Sequence, residues 1–228
     1  MAAPSFICGT STVSDFDGNA YNTVLIGTQC WTTTNLKVTK YNNGTLIGDS
    51  TNSTWGTAMI GARTENKETT GSSISGYVET FGYLYNWYAV NDSRKLCPDG
   101  WHVPTDSEWN KLVISIDSGA DTTSTSSVQS TTAGTVMKSE ETNTSVGIGL
   151  GWNPGSPGTN TSGFSALPGG FRQIDGSFIA IRGSAFFWSA TEYPLTDAWS
   201  RNLYRSNGNV VRYNDTKSFG ASVRCLRD

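Results

Sequence analysis

Few side chains in this chain are of a kind that does covalent or metal chemistry. The sequence holds 4 cysteines and 1 histidine: Cys8, Cys30, Cys97, Cys225 and His102. No two cysteines form a C-x-x-C pair, and a lone histidine does not complete a zinc site with them at usual spacings. Buried thiols are one reading of the four; two disulfides in an oxidising compartment are the other, favoured by the low charge and exported-looking composition. Sequence alone does not separate the three possible pairings. The favoured one is Cys8–Cys30, closing a local hairpin, with Cys97–Cys225 tying the C-terminal strand to the segment that enters a helix. Glu108 and Glu192 are the carboxylates on which a hydrolase would be built. Glu108, however, stands three residues after Thr105 in a capping box, where each side chain satisfies an orphan backbone N–H of the other. Neither carboxylate has a nucleophile–base arrangement beside it. Asp15, Asp17 and Asn19 look like the start of a calcium loop, but Ile26 occupies the twelfth position, where a Glu ligand is required. A hairpin turn is expected there instead. His102, next to Trp101, reads as a packed or hydrogen-bonded structural residue. No catalytic residue, metal or cofactor is expected, and the chain is read as a non-enzyme.

Non-covalent contact is the chemistry that recurs. In Ala198 to Tyr204 the residues alternate, with Trp199, Arg201 and Leu203 on one face and Ser200, Asn202 and Tyr204 on the other. Asn207-Gly208 predicts a two-residue type I′ hairpin, whose central residues both need φ > 0. The return strand, Asn209 to Tyr213, brings Val211 and Tyr213 to one face. Outward positions are read as Ser200, Asn202, Tyr204, Val211, Tyr213, Asn214, Asp215 and Phe219. Together with Phe186, Tyr193, Arg205, Asn207 and Ala221 they form the candidate ligand-binding patch. Trp199, Arg201, Leu203, Val210, Arg212 and Val223 are read as fixed framework. Tyr offers rigid amphipathic area at low entropy cost, and Ser and Asn offer adaptable hydrogen bonds, as in a paratope. The plain alternative is ordinary cross-strand pairing on a solvated face. Trp87, Trp101, Trp109, Trp188 and Trp199 fall at helical or inward strand positions and are expected in the core rather than stacked on sugars.

These positions need a scaffold, and composition bounds it. Charged residues are 15% of the chain, against about 25% in an average soluble domain. A net charge of −3 leaves no electrostatic footprint for nucleic acid. No apolar run approaches the roughly 20 residues that span a bilayer, so no membrane insertion is expected. The start, Met1-Ala2-Ala3-Pro4, lacks the basic and apolar regions of a signal peptide, leaving a trimmed leader or release on a phage particle as routes out. With 8 Trp, 9 Tyr and 9 Phe, one large core is within reach. Residues 11–31 read as a β-hairpin, 42–76 as a loop insertion, and Phe81 to Val90 as a helix. Thr105 caps an amphipathic helix carrying Trp109, Leu112, Val113 and Ile116. The Ser/Thr-rich stretch from Asp117 reads as a surface excursion, within an insertion reaching to about residue 160. Strands follow, the last from Ala221 to Leu226. A single domain over residues 1–228 is expected.

An ordered series of blocks runs along nearly the whole chain: Asp17-Gly18-Asn19-Ala20-Tyr21, Ile26-Gly27-Thr28-Gln29-Cys30-Trp31, Gly82-Tyr83-Leu84-Tyr85-Asn86-Trp87, Cys97-Pro98-Asp99-Gly100-Trp101-His102-Val103-Pro104-Thr105, Ser162-Gly163-Phe164-Ser165-Ala166-Leu167-Pro168-Gly169-Gly170 and Ser222-Val223-Arg224-Cys225. The series resembles the Fibrobacter succinogenes major paralogous domain. That resemblance implies an α+β, C-type-lectin-like fold with two helices, a small twisted antiparallel sheet and long loops, in bacterial and often cell-surface proteins. Val103 to Trp109 also resembles the helix start of formylglycine-generating enzymes, whose reactive cysteine pair has no counterpart left over here; fold likeness is not activity. Some lectin-like proteins are diversified by retroelements that scramble template adenines, and every outward residue above is one such a codon reaches. Implied by the resemblance is a display domain that binds an external protein or glycan outside the cell, on a cell surface or a phage particle. A structural spacer of a surface or tail-fibre protein is the alternative, and a carboxylate-using hydrolase a more distant one.

Overall fold

The computed structural model describes residues 5–49, 52–57, 59–68, 76–125, 127–140, 151–155 and 158–228. The expected two-helix α+β arrangement with one small antiparallel sheet is not what forms. Among the described residues, 15 strands make four sheets. Of five helices, only α4 (Asp106–Ile116) runs past five residues. The sheets are not purely antiparallel, since β5 (Gly48–Asp49) pairs parallel with β6 (Ala62–Thr64) and β10 (Gly169–Arg172) pairs parallel with β12 (Ser184–Tyr193).

Local chemistry explains where the helical expectation fails. The segment 81–90 was expected as one helix, yet it divides into α2 (Tyr77–Phe81), β7 (Leu84–Tyr85) and α3 (Trp87–Val90). Gly82 breaks it with φ +71°, and a Cβ there would lie 2.5 Å from the Leu36 carbonyl oxygen. Only glycine takes that backbone position so close to a neighbouring chain. Leu84 then pairs with Thr64, and Asn86 caps α3 by accepting from the Ala89 N–H. Apolar residues at Leu84 and Trp87 are buried as the helical spacing required, but on a strand followed by a turn of helix. The excursion after Asp117 is likewise built in: β9 (Ser127–Ser130) is the sixth strand of the largest sheet, and α5 (Ala133–Met137) packs against α4. Of the expected insertions, residues 50–51, 58, 69–75, 126, 141–150 and 156–157 lie outside the described residues, as does the Met1 to Pro4 start.

Other expectations hold. The N-terminal hairpin expected over 11–31 forms as two, β1 (Val13–Ser14) with β2 (Ala20–Tyr21) and β3 (Thr23–Ile26) with β4 (Gln29–Thr32), in separate sheets, with Asp15 accepting from the Asp17 and Asn19 N–H groups to close the first turn. α4 begins with the capping box, its Thr105 N–H donating to Glu108 Oε2 at 2.8 Å. The sheet β3–β4–β15–β8, with β8 Trp101–His102 and β15 Leu226–Arg227, joins the two chain ends. The expected last strand is shorter than read: Ala221 and Ser222 make isolated bridges to Tyr85 and Phe187.

Two large apolar clusters fill the interior, with a smaller third of Tyr77, Phe81, Leu167 and Ile181. One gathers Trp31, Trp109, Phe164 and Phe187 on one side of the large sheet; the other gathers Tyr85, Trp87, Phe186, Trp188 and Phe219. All five tryptophans read as core are buried. Arg224 is fully buried over the Phe164 and Phe187 rings, donating to the carbonyls of Thr32, Phe164 and Ser165 and to Asn35. Both expected disulfides form, Cys8–Cys30 and Cys97–Cys225, across separations of 22 and 128 residues. Such bonds persist outside the reducing cytosol. No helix among the described residues is long and apolar enough to cross a membrane.

Loop-closure entropy makes the longer cross-link the more stabilising, at roughly 5 kcal/mol against about 3 kcal/mol. In urea titrations Cys97→Ala/Cys225→Ala should therefore lose more unfolding free energy than Cys8→Ala/Cys30→Ala. Equal losses would contradict this.

Candidate functional site

The largest sheet runs β11–β10–β12–β13–β14–β9, with β11 Phe178–Ile181, β13 Asp197–Tyr204 and β14 Val210–Thr216. Registered pairs share a face, so the ladder sorts the candidate residues without ambiguity. Arg201 pairs with Phe187 and Arg212, and Leu203 with Ala185 and Val210; this inner face lies against α4. Ser200 pairs with Trp188 and Tyr213, Asn202 with Phe186 and Val211, Tyr204 with Ser184, and Asp215 with Ala198. This second face is the candidate site.

What fixes the hairpin is a charge cluster on the inner face. Asp106, the first residue of α4, accepts from Arg201 Nη2 through Oδ1 at 2.8 Å and from Arg212 Nη2 through Oδ2 at 2.8 Å. Arg212 Nε adds a third bond to Oδ1 at 3.0 Å, and Arg201 Nη2 also donates to Asn110 Oδ1 at 2.7 Å. The Arg212 guanidinium lies 3.6 Å from the centre of the Trp199 ring. Burial pushes the Asp106 carboxyl up, but the hydrogen bonds and charges of Arg212 and Arg201 prevail and hold it below its ordinary value. The parity of the strand marked both arginines as framework; their partner on the helix was not read from the sequence.

The turn is fixed from the other side. Neither Asn207 nor Gly208 has positive φ, so the expected type I′ turn is replaced by a longer loop over residues 205–209. Gly208 is required by space: a Cβ would lie 2.6 Å from Thr135 Oγ1 and 2.7 Å from the Thr131 carbonyl. α5 approaches so closely that the Gly134 N–H donates to the Gly208 carbonyl at 2.8 Å. Lys138 then donates to the carbonyls of Tyr204 and Asn207, and burial pushes its ammonium down to about 8.

The thirteen candidate ligand residues are not one surface. Ser200 and Asn202, read as outward, are buried at 0% and 2% exposure. Their side does face away from α4, but each is a short side chain between larger registered neighbours, Trp188 and Tyr213 for the first and Phe186 and Val211 for the second. Phe186 and Phe219 are buried against each other and Phe171. Ala221 is fully buried beside Tyr85. Tyr193 packs on Trp199 with ring centres 4.8 Å apart, and Asn214 pairs with Trp199 and donates to Asp197. Both therefore belong to the inner face, as odd–even counting along the strands requires. Arg205 and Asn207 sit in the turn. Those left on the open half of the face are Tyr204, Val211, Tyr213 and Asp215, the first two and last half-buried and Tyr213 44% exposed. Val128 on β9, registered to Val211 and 41% exposed, joins them. Its strand was missed because Ser127 to Ser130 lies inside a Ser/Thr-rich stretch.

Beneath these side chains runs a polar floor. Ser200 Oγ donates to Asp215 Oδ2 at 2.6 Å and contacts Asn202 Oδ1 at 3.1 Å. Burial pushes the Asp215 carboxyl up to about 6; the Ser200 bond opposes this and the charge of Asp197 adds to it. Burial also raises the Tyr204 phenol, against the pull of Asn202. Away from this face, Glu108 is held by Thr105 and His102, and Glu192 by Lys217. A cavity of about 300 Å³ lined by Met59, Gly61, Trp87, Tyr88 and Arg94 contains none of the candidate residues.

Fold and site together define a disulfide-stapled, β-rich domain in which a locked sheet carries a partly open aromatic face. The sequence profile of the Fibrobacter succinogenes major domain matches residues 24–227, and the chain belongs to that family. No curated protein and no solved structure gives a significant match.

Two stability measurements follow. Asp106→Ala leaves two buried guanidiniums without their carboxylate and should cost about 3–5 kcal/mol in urea unfolding. Asp215 has a folded-state value above its ordinary 3.8, so its ionisation opposes folding; the opposition is absent below pH 3.8 and complete above about pH 6. Asp215→Asn should accordingly stabilise the domain by on the order of 2 kcal/mol at pH 7.5 and by nothing near pH 3.5. A pH-independent effect would contradict the burial of this carboxylate.

Proposed function

We propose that this domain is a non-enzymatic binding module that holds an external ligand, a protein or a glycan, on the open face of the β13–β14 hairpin. The observation that carries the reading is the exposed pair Tyr213 and Val128 beside half-buried Tyr204, Val211 and Asp215. These stand on strands whose opposite face is held by Asp106. Rigid backbone with aromatic and small polar side chains is the composition of a contact surface that loses little entropy on binding. A spacer has no use for exposed aromatic area, and the two carboxylates that a hydrolase would use are engaged by neighbouring side chains. The two disulfides support a place outside the cell, on a cell surface or phage particle.

Retroelement diversification is the finer form of this reading. Its support is that Tyr204, Val211, Tyr213 and Asp215 are all products an adenine-scrambled codon reaches, while their inner-face neighbours serve the core. A reverse-transcriptase gene beside a near-copy of the segment encoding residues 185–225, differing only at adenines, is the expected genomic setting; a locus with neither contradicts it.

Protein-fragment and glycan arrays probed with wild type and with Tyr204→Ala/Tyr213→Ala test the binding role. Signals given by the wild type should vanish in the double variant, which should stay folded and lose only about 1–2 kcal/mol of stability. Signals unchanged in the variant would place binding elsewhere.

A further inference from the structure

Asp215 lacks the cationic partner that several other carboxylates have; Asp197, also without one, takes side-chain hydrogen bonds on both of its oxygens. Asp106 has two arginines, Glu192 has Lys217 and Asp92 has Arg94. Among the described residues, no Lys or Arg nitrogen comes within 4 Å of Asp215, and its one side-chain hydrogen bond, from Ser200, falls on Oδ2 alone. The charge that acts on it is another carboxylate, Asp197. A half-buried carboxylate without a counter-charge is costly to keep. Sites that break such a rule without local compensation are expected where function requires them.

The surroundings specify what would compensate it. Tyr213 projects from the registered position two residues along the same strand, on the same face, and Tyr204 stands on that face farther along β13, its phenol raised in part by the charge of Asp215. Aromatic faces beside a carboxylate suit a guanidinium or ammonium group, which pairs with the carboxylate and stacks on the rings. An acidic ligand would be repelled by Asp215. A neutral sugar hydroxyl would meet the free Oδ1 yet leave the charge uncompensated.

Building on the binding role proposed above, we infer that the ligand is a protein presenting an arginine or lysine side chain, which seats on this face and pairs with Asp215 beside Tyr204 and Tyr213. The probe is a random 12-residue peptide phage library, panned on the intact domain at pH 7.5 and depleted on Tyr204→Ala/Tyr213→Ala. The peptides that remain should be enriched in Arg or Lys. Replacing that arginine by citrulline in a synthetic copy should weaken binding about tenfold or more, and Asp215→Asn should weaken the arginine peptide as much while leaving the citrulline peptide unchanged. Face-dependent peptides without basic residues, or equal affinity for arginine and citrulline forms, would overturn the cation while leaving the binding face in place. Glycan binding that depends on Tyr204 and Tyr213, with no face-dependent peptide, would overturn it too. An absence of any ligand dependent on the two tyrosines would remove both the cation and the binding role.

Discussion

The ion cluster of Asp106 with Arg201 and Arg212 is the constraint on which the hairpin depends. One carboxylate at the start of α4 takes hydrogen bonds from two adjacent, registered strands, so helix position, strand pairing and register are set by the same atom group. A one-residue slip of β14 would carry Arg212 to the other face and leave Asp106 with one of its two arginines. Buried charge clusters of this kind contribute little net stability compared with apolar packing, because desolvation offsets the attraction. What the cluster supplies is a single geometry. With the inner face so determined, the outer side chains of the same strands are relieved of structural duty wherever the core does not reach them.

That division is graded across the sheet. Toward β12 the outer face is itself interior: Phe186, Trp188 and Phe219 pack with Phe171 and the Tyr85–Trp87 layer. Toward β9 the packing thins, and Tyr204, Val211, Tyr213, Asp215 and Val128 meet solvent. Ser200 and Asn202 lie at the boundary, small enough to be covered by their neighbours and polar enough to bond Asp215. The two disulfides fit an oxidising compartment, and the binding role proposed for the domain draws on this one open region.

Much of this was legible where a residue type has a single local meaning. Thr105 and Glu108 announce a capping box because their reciprocal bonds need no distant partner, whereas the cysteine pairing, though the favoured one forms, was one of three that the sequence left open. Alternation in Trp199 to Tyr204 gave the faces correctly, and applied strictly it would also have excluded Tyr193 and Asn214 from the outer one. Alternation says nothing, however, about what a short side chain's neighbours cover, so Ser200 and Asn202 were read as open. Gly82 and Gly208 were misread for a related reason. Their glycines are demanded by the Leu36 carbonyl and by Thr131 and Thr135, which are far away in the chain, whereas turn rules consider only adjacent residues. The mostly β architecture was hidden because strands as short as Leu84–Tyr85, or as polar as Ser127–Ser130, carry no periodicity to detect.

Saturation mutagenesis of residues 197–216, with every variant scored for folding by protease resistance on a display host, tests the locked-and-free division most directly. Substitutions should be tolerated at 204, 211 and 213 and rejected at 199, 201, 203, 210 and 212. Rejection of substitutions at both sets alike would contradict the division, and with it the existence of a surface free to serve a ligand.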